Sequence, residues 1–208
     1  MEIWDGYLKD GTLANYDLVR GEPIPNGMYH LASEILVKHI DGDYLLMKRD
    51  TRKSNYGGYY EATAGGSALK GEDKISCAKR ELLEETGISS NNLQEIGHYT
   101  SHDTIYYNFL CVTDCDKSSI TLQKGETISY KWISESDFIA FVNSNEMIDI
   151  QRMRYRNFFI KIGLHKVINS NLLSKFKGAF FRLCSANSKY AKLLLKQLGV
   201  NCFTDASK

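Results

Sequence analysis

The stretch from Gly66 to Ile88 constrains this chain more than any other. Gly66 is followed after five residues by Glu72, and Glu72 after seven by Arg80-Glu81-Leu82-Leu83-Glu84-Glu85-Thr86-Gly87-Ile88. Ile75, Ala78, Leu82 and Leu83 recur at helical spacing, which predicts a helix over residues 73–86 with Gly87 as its stop. That helix carries Glu81, Glu84 and Glu85 at i, i+3 and i+4, hence on one face. Three carboxylates so placed repel one another, and must take up protons or share a cation. A hard divalent cation, Mg²⁺ or Mn²⁺, suits clustered carboxylate oxygens. Gly65-Gly66 lets backbone pass near the cluster, where a free carbonyl could add a ligand. A cation beside a glycine loop points to phosphate chemistry. For three glutamates alone, the competing reading is a solvated acidic helix face.

The flanking sequence reads as strands. Ile3–Leu8 and Leu13–Val19 flank Asp10-Gly11, and Tyr29–His39 and Tyr44–Arg49 flank Asp41-Gly42-Asp43, so two hairpins are expected. Tyr59–Ala64 reads as extended and broken by Gly65-Gly66. Leu93–Thr100, Thr104–Thr113 and Ile128–Ile133 are rich in β-branched and aromatic residues, and Ser134 caps a helix to about Val142. Strands around one central helix, followed by helices, predict an α/β fold with a mixed sheet.

Charge divides the chain near residue 150. Residues 1–150 hold 14 Lys+Arg against 24 Asp+Glu, whereas residues 151–208 hold 12 Lys+Arg and the single acid Asp205. The expected organisation is therefore a domain over 1–147 and a basic helical C-terminal extension over 148–208. Three apolar stripes mark the extension: Ile148, Tyr155, Phe159 and Ile162; Leu172, Phe176, Phe180 and Leu183; Tyr190, Leu194 and Leu198. They need cover, from the same chain or from a second copy in a homodimer. The basic residues between them fit either docking on the acidic domain or contact with nucleic acid phosphates. No apolar run is long enough to span a membrane, and the N-terminus has no secretory pattern. The five cysteines, at 77, 111, 115, 184 and 202, form no CxxC pair, which fits a reducing, cytoplasmic setting.

The stretch from Gly66 to Ile88 matches the Nudix box at every fixed position, and the chain resembles the Nudix hydrolases. The resemblance implies an α/β/α sandwich and hydrolysis of a diphosphate linkage, in a nucleoside-diphosphate derivative or other small organic diphosphate. It gives Glu81, Glu84 and Glu85, with the carbonyl of Gly65, to the metal. It gives Glu72 and Arg80 to bracing the loop against the helix. It leaves the general base open between Glu81 and Glu126, the latter in Lys124-Gly-Glu-Thr-Ile.

Residues 4–88 also look like the Nudix branch that includes isopentenyl-diphosphate isomerase. Arg49 and Lys53 match a cation pair that holds a diphosphate there, and His30 echoes a metal-binding histidine. The isomerase's Cys and His just before the box are replaced by Ala64-Gly65-Gly66, so hydrolysis is expected over isomerisation. A ligand-sensing Nudix-like regulator with a nucleic-acid-binding tail is the alternative of another class.

Overall fold

The computed structural model describes residues Met1–Gly163, which form one compact unit. The expected stripes from Leu172 to Leu198 lie outside the described residues. The hairpin of β1 (Ile3–Tyr7) and β2 (Leu13–Val19) stands as its own two-stranded sheet. The main sheet has seven strands: β3 (His30–His39), β4 (Tyr44–Arg49), β5 (Tyr60–Glu61), β6 (Ala64–Ser67), β7 (Leu93–Ser101), β8 (Thr104–Thr113) and β9 (Thr127–Ile133). Four helices accompany it: α1 (Lys74–Thr86), α2 (Glu135–Val142), α3 (Asp149–Arg154) and α4 (Arg156–Lys161). A mixed sheet with helices on both faces is the architecture expected. No helix among the described residues is long and apolar enough to cross a membrane.

Strand β3 is the spine. It runs parallel to β8 over its whole length and antiparallel to β6. Residues Leu31 to Val37 are all buried, because a strand covered on both faces has no solvent side. Alternate residues face opposite layers. Ile35 and Val37 pack with Ala78 and Leu82 of α1. Glu34 points the other way and ion-pairs with Arg154 of α3. Strand β8 repeats this: Phe109 joins the α1 layer, while Asn108 donates from Nδ2 to the Arg154 carbonyl at 2.7 Å.

Local chemistry sets the ends of α1. The Asp73 carboxylate accepts from the Ser76 N–H at 2.7 Å, and Gly87, at φ 76°, donates its N–H to the Leu83 carbonyl. Leu83 itself is 51% exposed, so the buried stripe is narrower than its sequence spacing suggested. Gly65-Gly66 does not break an extended segment. Both glycines lie within β6, paired with Ser33 and Glu34, and the interruption falls at Ala62-Thr63.

That interruption has a physical cause. Strands β3 and β4 share one register pair, Lys38 with Tyr44, and then diverge so that β5 and β6 enter between them. Thr63 sits at the fork, fully buried. Its Oγ1 accepts the Val37 N–H at 3.1 Å and donates to the Leu45 carbonyl at 3.0 Å. The side chain thus replaces a missing ladder rung.

The second helical layer begins before the compositional boundary and continues past it. Phe138 of α2 stacks on Tyr44, with ring centroids 4.1 Å apart, and Phe159 meets Phe138 edge-on. Ile148, Tyr155 and Phe159 are buried, so residues 148–163 pack with the first compact unit and the boundary drawn at 147/148 falls inside it. Charge counting marked a change in surface, whereas packing follows apolar faces. The stripe is split between two short helices, and Ile162 is 39% exposed.

The fork gives a direct test. Thr63→Val keeps the shape but leaves the Val37 N–H and Leu45 carbonyl unpaired. We expect a loss of about 1–3 kcal/mol in urea-unfolding stability. A variant as stable as wild type would mean that Thr63 does not hold the fork.

Candidate active site

The site is organised by one arginine. Arg80, in the middle of α1, donates from Nε and Nη2 to the two oxygens of Glu72 at 2.7 and 2.9 Å. Nη2 also reaches the Ser67 carbonyl at 3.0 Å, and Glu72 accepts the Leu69 N–H at 2.9 Å. The loop from β6 into α1 is therefore stapled to the helix that follows it. The Arg80 hydrogen bonds hold the Glu72 carboxyl below the usual range. From the same guanidinium, Nη1 donates to Glu81 at 2.7 Å and to Glu84 at 3.2 Å.

Helical spacing brings the three glutamates to one face, but their environments differ. Glu84 is exposed; Glu81 and Glu85 are buried. Strand β6 runs hard against them. A Cβ on Gly66 would stand 2.5 Å from the Glu81 Cδ, so any larger residue would push the Glu81 carboxylate out of this position. The Gly65 N–H donates to Glu85 Oε2 at 3.1 Å. With Glu81 and Glu84 turned to Arg80 and Glu85 to Gly65, no three Asp, Glu, His or Cys among the described residues converge as a metal cage. The donor set nevertheless suits a divalent cation. Glu85 is buried beside Glu61, Glu81 and Glu126, and a backbone N–H is its one hydrogen bond in the described structure.

The start of β9 brings a further carboxylate. Thr127 is in register with Arg49 at the end of β4, across a bulge, and the Asp50 N–H donates to the Glu126 carbonyl at 2.8 Å. Glu126 therefore meets the loop after β4, where its carboxylate ion-pairs with Lys53. Lys53, Glu126, Glu81, Glu84 and Glu85 line one cavity of about 360 Å³.

Arg49 does not line this cavity with Lys53. Its Nη1 binds both oxygens of Glu61, at 3.0 and 2.9 Å, and its Nε donates to the Asn55 carbonyl. The cation pair read from sequence is thus divided: Lys53 faces the cavity and Arg49 neutralises a buried acid. His30 stacks on Trp4, with centroids 4.4 Å apart, and its Nδ1 lies 3.3 Å from Thr104 Oγ1. It is engaged away from the glutamates. His98 and His102 are exposed and do not line the cavity; Cys111 is in the core.

Sequence reasoning missed Glu61, Arg20, Glu2 and Gln123 at the site, and Glu34 on the opposite face of β3. For Glu34 a signal existed, a lone charge inside the apolar run Leu31–Val37. The other four become site residues only through contacts distant in sequence.

Burial pushes the Glu61 carboxyl up to about 7, with Arg49 opposing the shift. Burial and then the Glu61 and Glu81 charges raise Glu85 well above its ordinary value, and burial also raises Glu81. A raised folded-state value means that the folded protein holds the proton more tightly. The associated stability is present below the unfolded value near 4.5 and is lost as pH rises through about 7. The metal-free protein should therefore melt at progressively lower temperature between about pH 5 and pH 8, and Mg²⁺ or Mn²⁺ should raise the melting temperature more at pH 8 than at pH 5. Differential scanning fluorimetry checks both, and a metal effect independent of pH would contradict this account.

Comparison with known proteins agrees with this geometry. The NUDIX domain family model matches residues 28–152. A protein of Listeria monocytogenes named as an uncharacterized Nudix hydrolase is 30% identical over 151 residues, covering 71% of this chain and 89% of the relative. A second so named, from Pseudomonas aeruginosa, is 34% identical over 82 residues, covering 39% and 48%. The crystal structure of a Deinococcus radiodurans protein superposes with a TM-score of 0.61 at 14% identity, covering 76% of this chain and 99% of that one, which shows a shared fold. The chain belongs to the Nudix family of diphosphate-cleaving hydrolases. These likenesses assign the family and not a branch within it.

Proposed function

We propose that this protein is a Mg²⁺- or Mn²⁺-dependent hydrolase that cleaves the diphosphate linkage of a small organic diphosphate, such as a nucleoside-diphosphate derivative. The observation that carries the reading is Glu85: a buried carboxylate among three others, with no side-chain cation paired to it in the described structure. Such an arrangement is costly unless a proton or a metal relieves it. Glu81, Glu84 and Glu85 would hold the cation, with the Gly65 carbonyl as a further ligand. Bound there, the cation supplies charge neutralisation for the diphosphate and acidifies water.

The protein's own groups divide the remaining work. Arg80 and Glu72 fix the loop and helix, so that the glutamates keep their spacing. Lys53 offers the diphosphate an ammonium at the cavity wall. Glu126 takes the proton from the attacking water, because Glu81 is assigned to the cation and Lys53, the partner of Glu126, turns to the diphosphate. Water then adds to phosphorus, the P–O bridge breaks, and two phosphate-bearing products leave. Isomerisation has less support. Ala64 stands where the isomerase has its thiol, and Cys77 is buried, with its thiol against the Gly66 carbonyl and pushed up to about 12.

Two measurements test this. Glu85→Gln should lower kcat about 10²-fold or more, since an amide is a weaker ligand for a hard cation. The same change should leave the metal-free melting temperature at pH 8 equal to or above wild type, because it removes a buried like charge. Wild-type kcat at limiting Mg²⁺ would remove Glu85 from the metal. In ¹⁸O water, label should enter a phosphate-bearing product, and isopentenyl diphosphate should yield no dimethylallyl isomer; catalytic formation of that isomer would reverse the assignment.

A further inference from the structure

The NUDIX match begins at residue 28, yet two residues lining the cavity precede it. Glu2 lies just before β1 and Arg20 just after β2. The hairpin that carries them is fastened to the domain. Tyr7 and Tyr29 exchange backbone hydrogen bonds of 2.8 and 2.9 Å, and the Lys70 N–H donates to the Ile3 carbonyl at 2.9 Å. Asp5 accepts the Gly71 N–H at 2.6 Å, Asp17 pairs with Lys70 at 2.5 Å, and Trp4 stacks on His30. Three of these ties end on residues 70 and 71, next to Glu72, the residue that Arg80 clamps. Hairpin, loop and α1 are thus connected directly, and Arg20 is held at the cavity.

The other cations of the cavity have roles already: Arg80 braces the site, and Lys53 is the one assigned to the diphosphate. Arg80 serves Glu72, Glu81 and Glu84, and Lys53 faces Glu126. Arg20 pairs with Glu2 of its own hairpin at 2.7 Å, and its side chain is 64% exposed. An exposed ion pair of this kind contributes little, so its guanidinium can turn to a phosphate at small cost. A planar guanidinium suits bidentate phosphate binding better than any other side chain. Arg20 makes no ion pair with Glu81, Glu84 or Glu85, and it comes from the hairpin whereas Lys53 comes from the loop after β4. Gln123 adds a neutral amide. Among the described lining residues Leu69 alone is apolar and none is aromatic, so they offer no surface for an isoprenoid chain.

Resting on the hydrolase reading above, we propose that Arg20 is a specificity residue that binds a second phosphate, carried on the organic half of the substrate. The substrate class is then a small diphosphate that is phosphorylated again elsewhere, on a sugar or nucleoside, and not a prenyl diphosphate. The hairpin, outside the matched family domain, is the part of the chain that reads this second group.

Calorimetric titration with Mg²⁺ and non-hydrolysable ligands tests the idea on the full chain. The probes are the α,β-methylene analogue of adenosine 5′-diphosphate with and without a 3′-phosphate, and geranyl methylenediphosphonate. Wild type should bind the 3′-phosphorylated analogue at least about tenfold more tightly than its partner. Arg20→Gln should collapse that ratio to within about threefold. Glu2→Gln, which frees the guanidinium, should keep or widen it. A wild-type ratio near one, equal weakening of both analogues in Arg20→Gln, or tightest binding of the geranyl ligand would each overturn the proposal. Phosphate release from the two hydrolysable parent diphosphates is a separate readout. No turnover of either by folded wild type would count against the hydrolase reading, while the binding ratio still decides the role of Arg20.

Discussion

Arg80 carries five N–H donors in a fixed plane, and the site is arranged around how they are shared. Three point back, to both oxygens of Glu72 and to the Ser67 carbonyl; the others hold Glu81 and Glu84. A single side chain thereby fixes the loop, the helix and two of the three glutamates clustered on α1. The N-terminal hairpin is tied to that same loop through Lys70 and Gly71, so it inherits the same anchoring. A lysine could not substitute, because a point charge lacks the fork that grips both Glu72 oxygens at once.

Buried carboxylates elsewhere show what makes Glu85 different. Glu34 faces the second helical layer and is matched by Arg154, which also lies over the Tyr106 ring at 3.5 Å. Glu61 is matched by Arg49. Each of these acids has a guanidinium partner, and the Glu34 pair also ties α3 to the sheet. Breaking one such pair would strand a buried charge, a larger penalty than the pair's net worth. Glu85 lacks a partner of this sort, and β6 meets it only through the Gly65 N–H. The fold thus gives Glu34, Glu61, Glu81, Glu84 and Glu126 a cationic partner each and leaves Glu85 with a backbone N–H.

The fork between β3 and β4 explains how the site is reached. If the hairpin had zipped fully, β6 could not pair with β3, and Gly65-Gly66 would not run beside α1. Thr63 supports the divergence with one hydroxyl that serves both strands. The pairing of β9 with β4 then delivers Glu126 opposite Lys53.

Some of this was legible in the linear chain because it depends on local periodicity. The helix, its Gly87 stop and the shared face of Glu81, Glu84 and Glu85 follow from spacing along one helix, whereas the Glu72–Arg80 brace came from the resemblance to the Nudix box. The hairpin turns followed from Asp-Gly chemistry. What depended on distant pairing was not legible. Gly65-Gly66 read as a break because glycine disfavours strands, yet the sheet enforces the conformation by pairing both residues with β3. Arg49 and Lys53 read as one cation pair, but the fold gives them different partners, Glu61 and Glu126. The charge boundary near residue 150 suggested a domain edge, and burial of Tyr155 and Phe159 extends the unit past it. The sequence by itself determined which chemical groups sit together on one helix, because helical geometry is set within a few residues. Only the tertiary structure decided which carboxylates are neutralised and that Arg20 joins the cavity, because those outcomes rest on contacts between segments tens of residues apart.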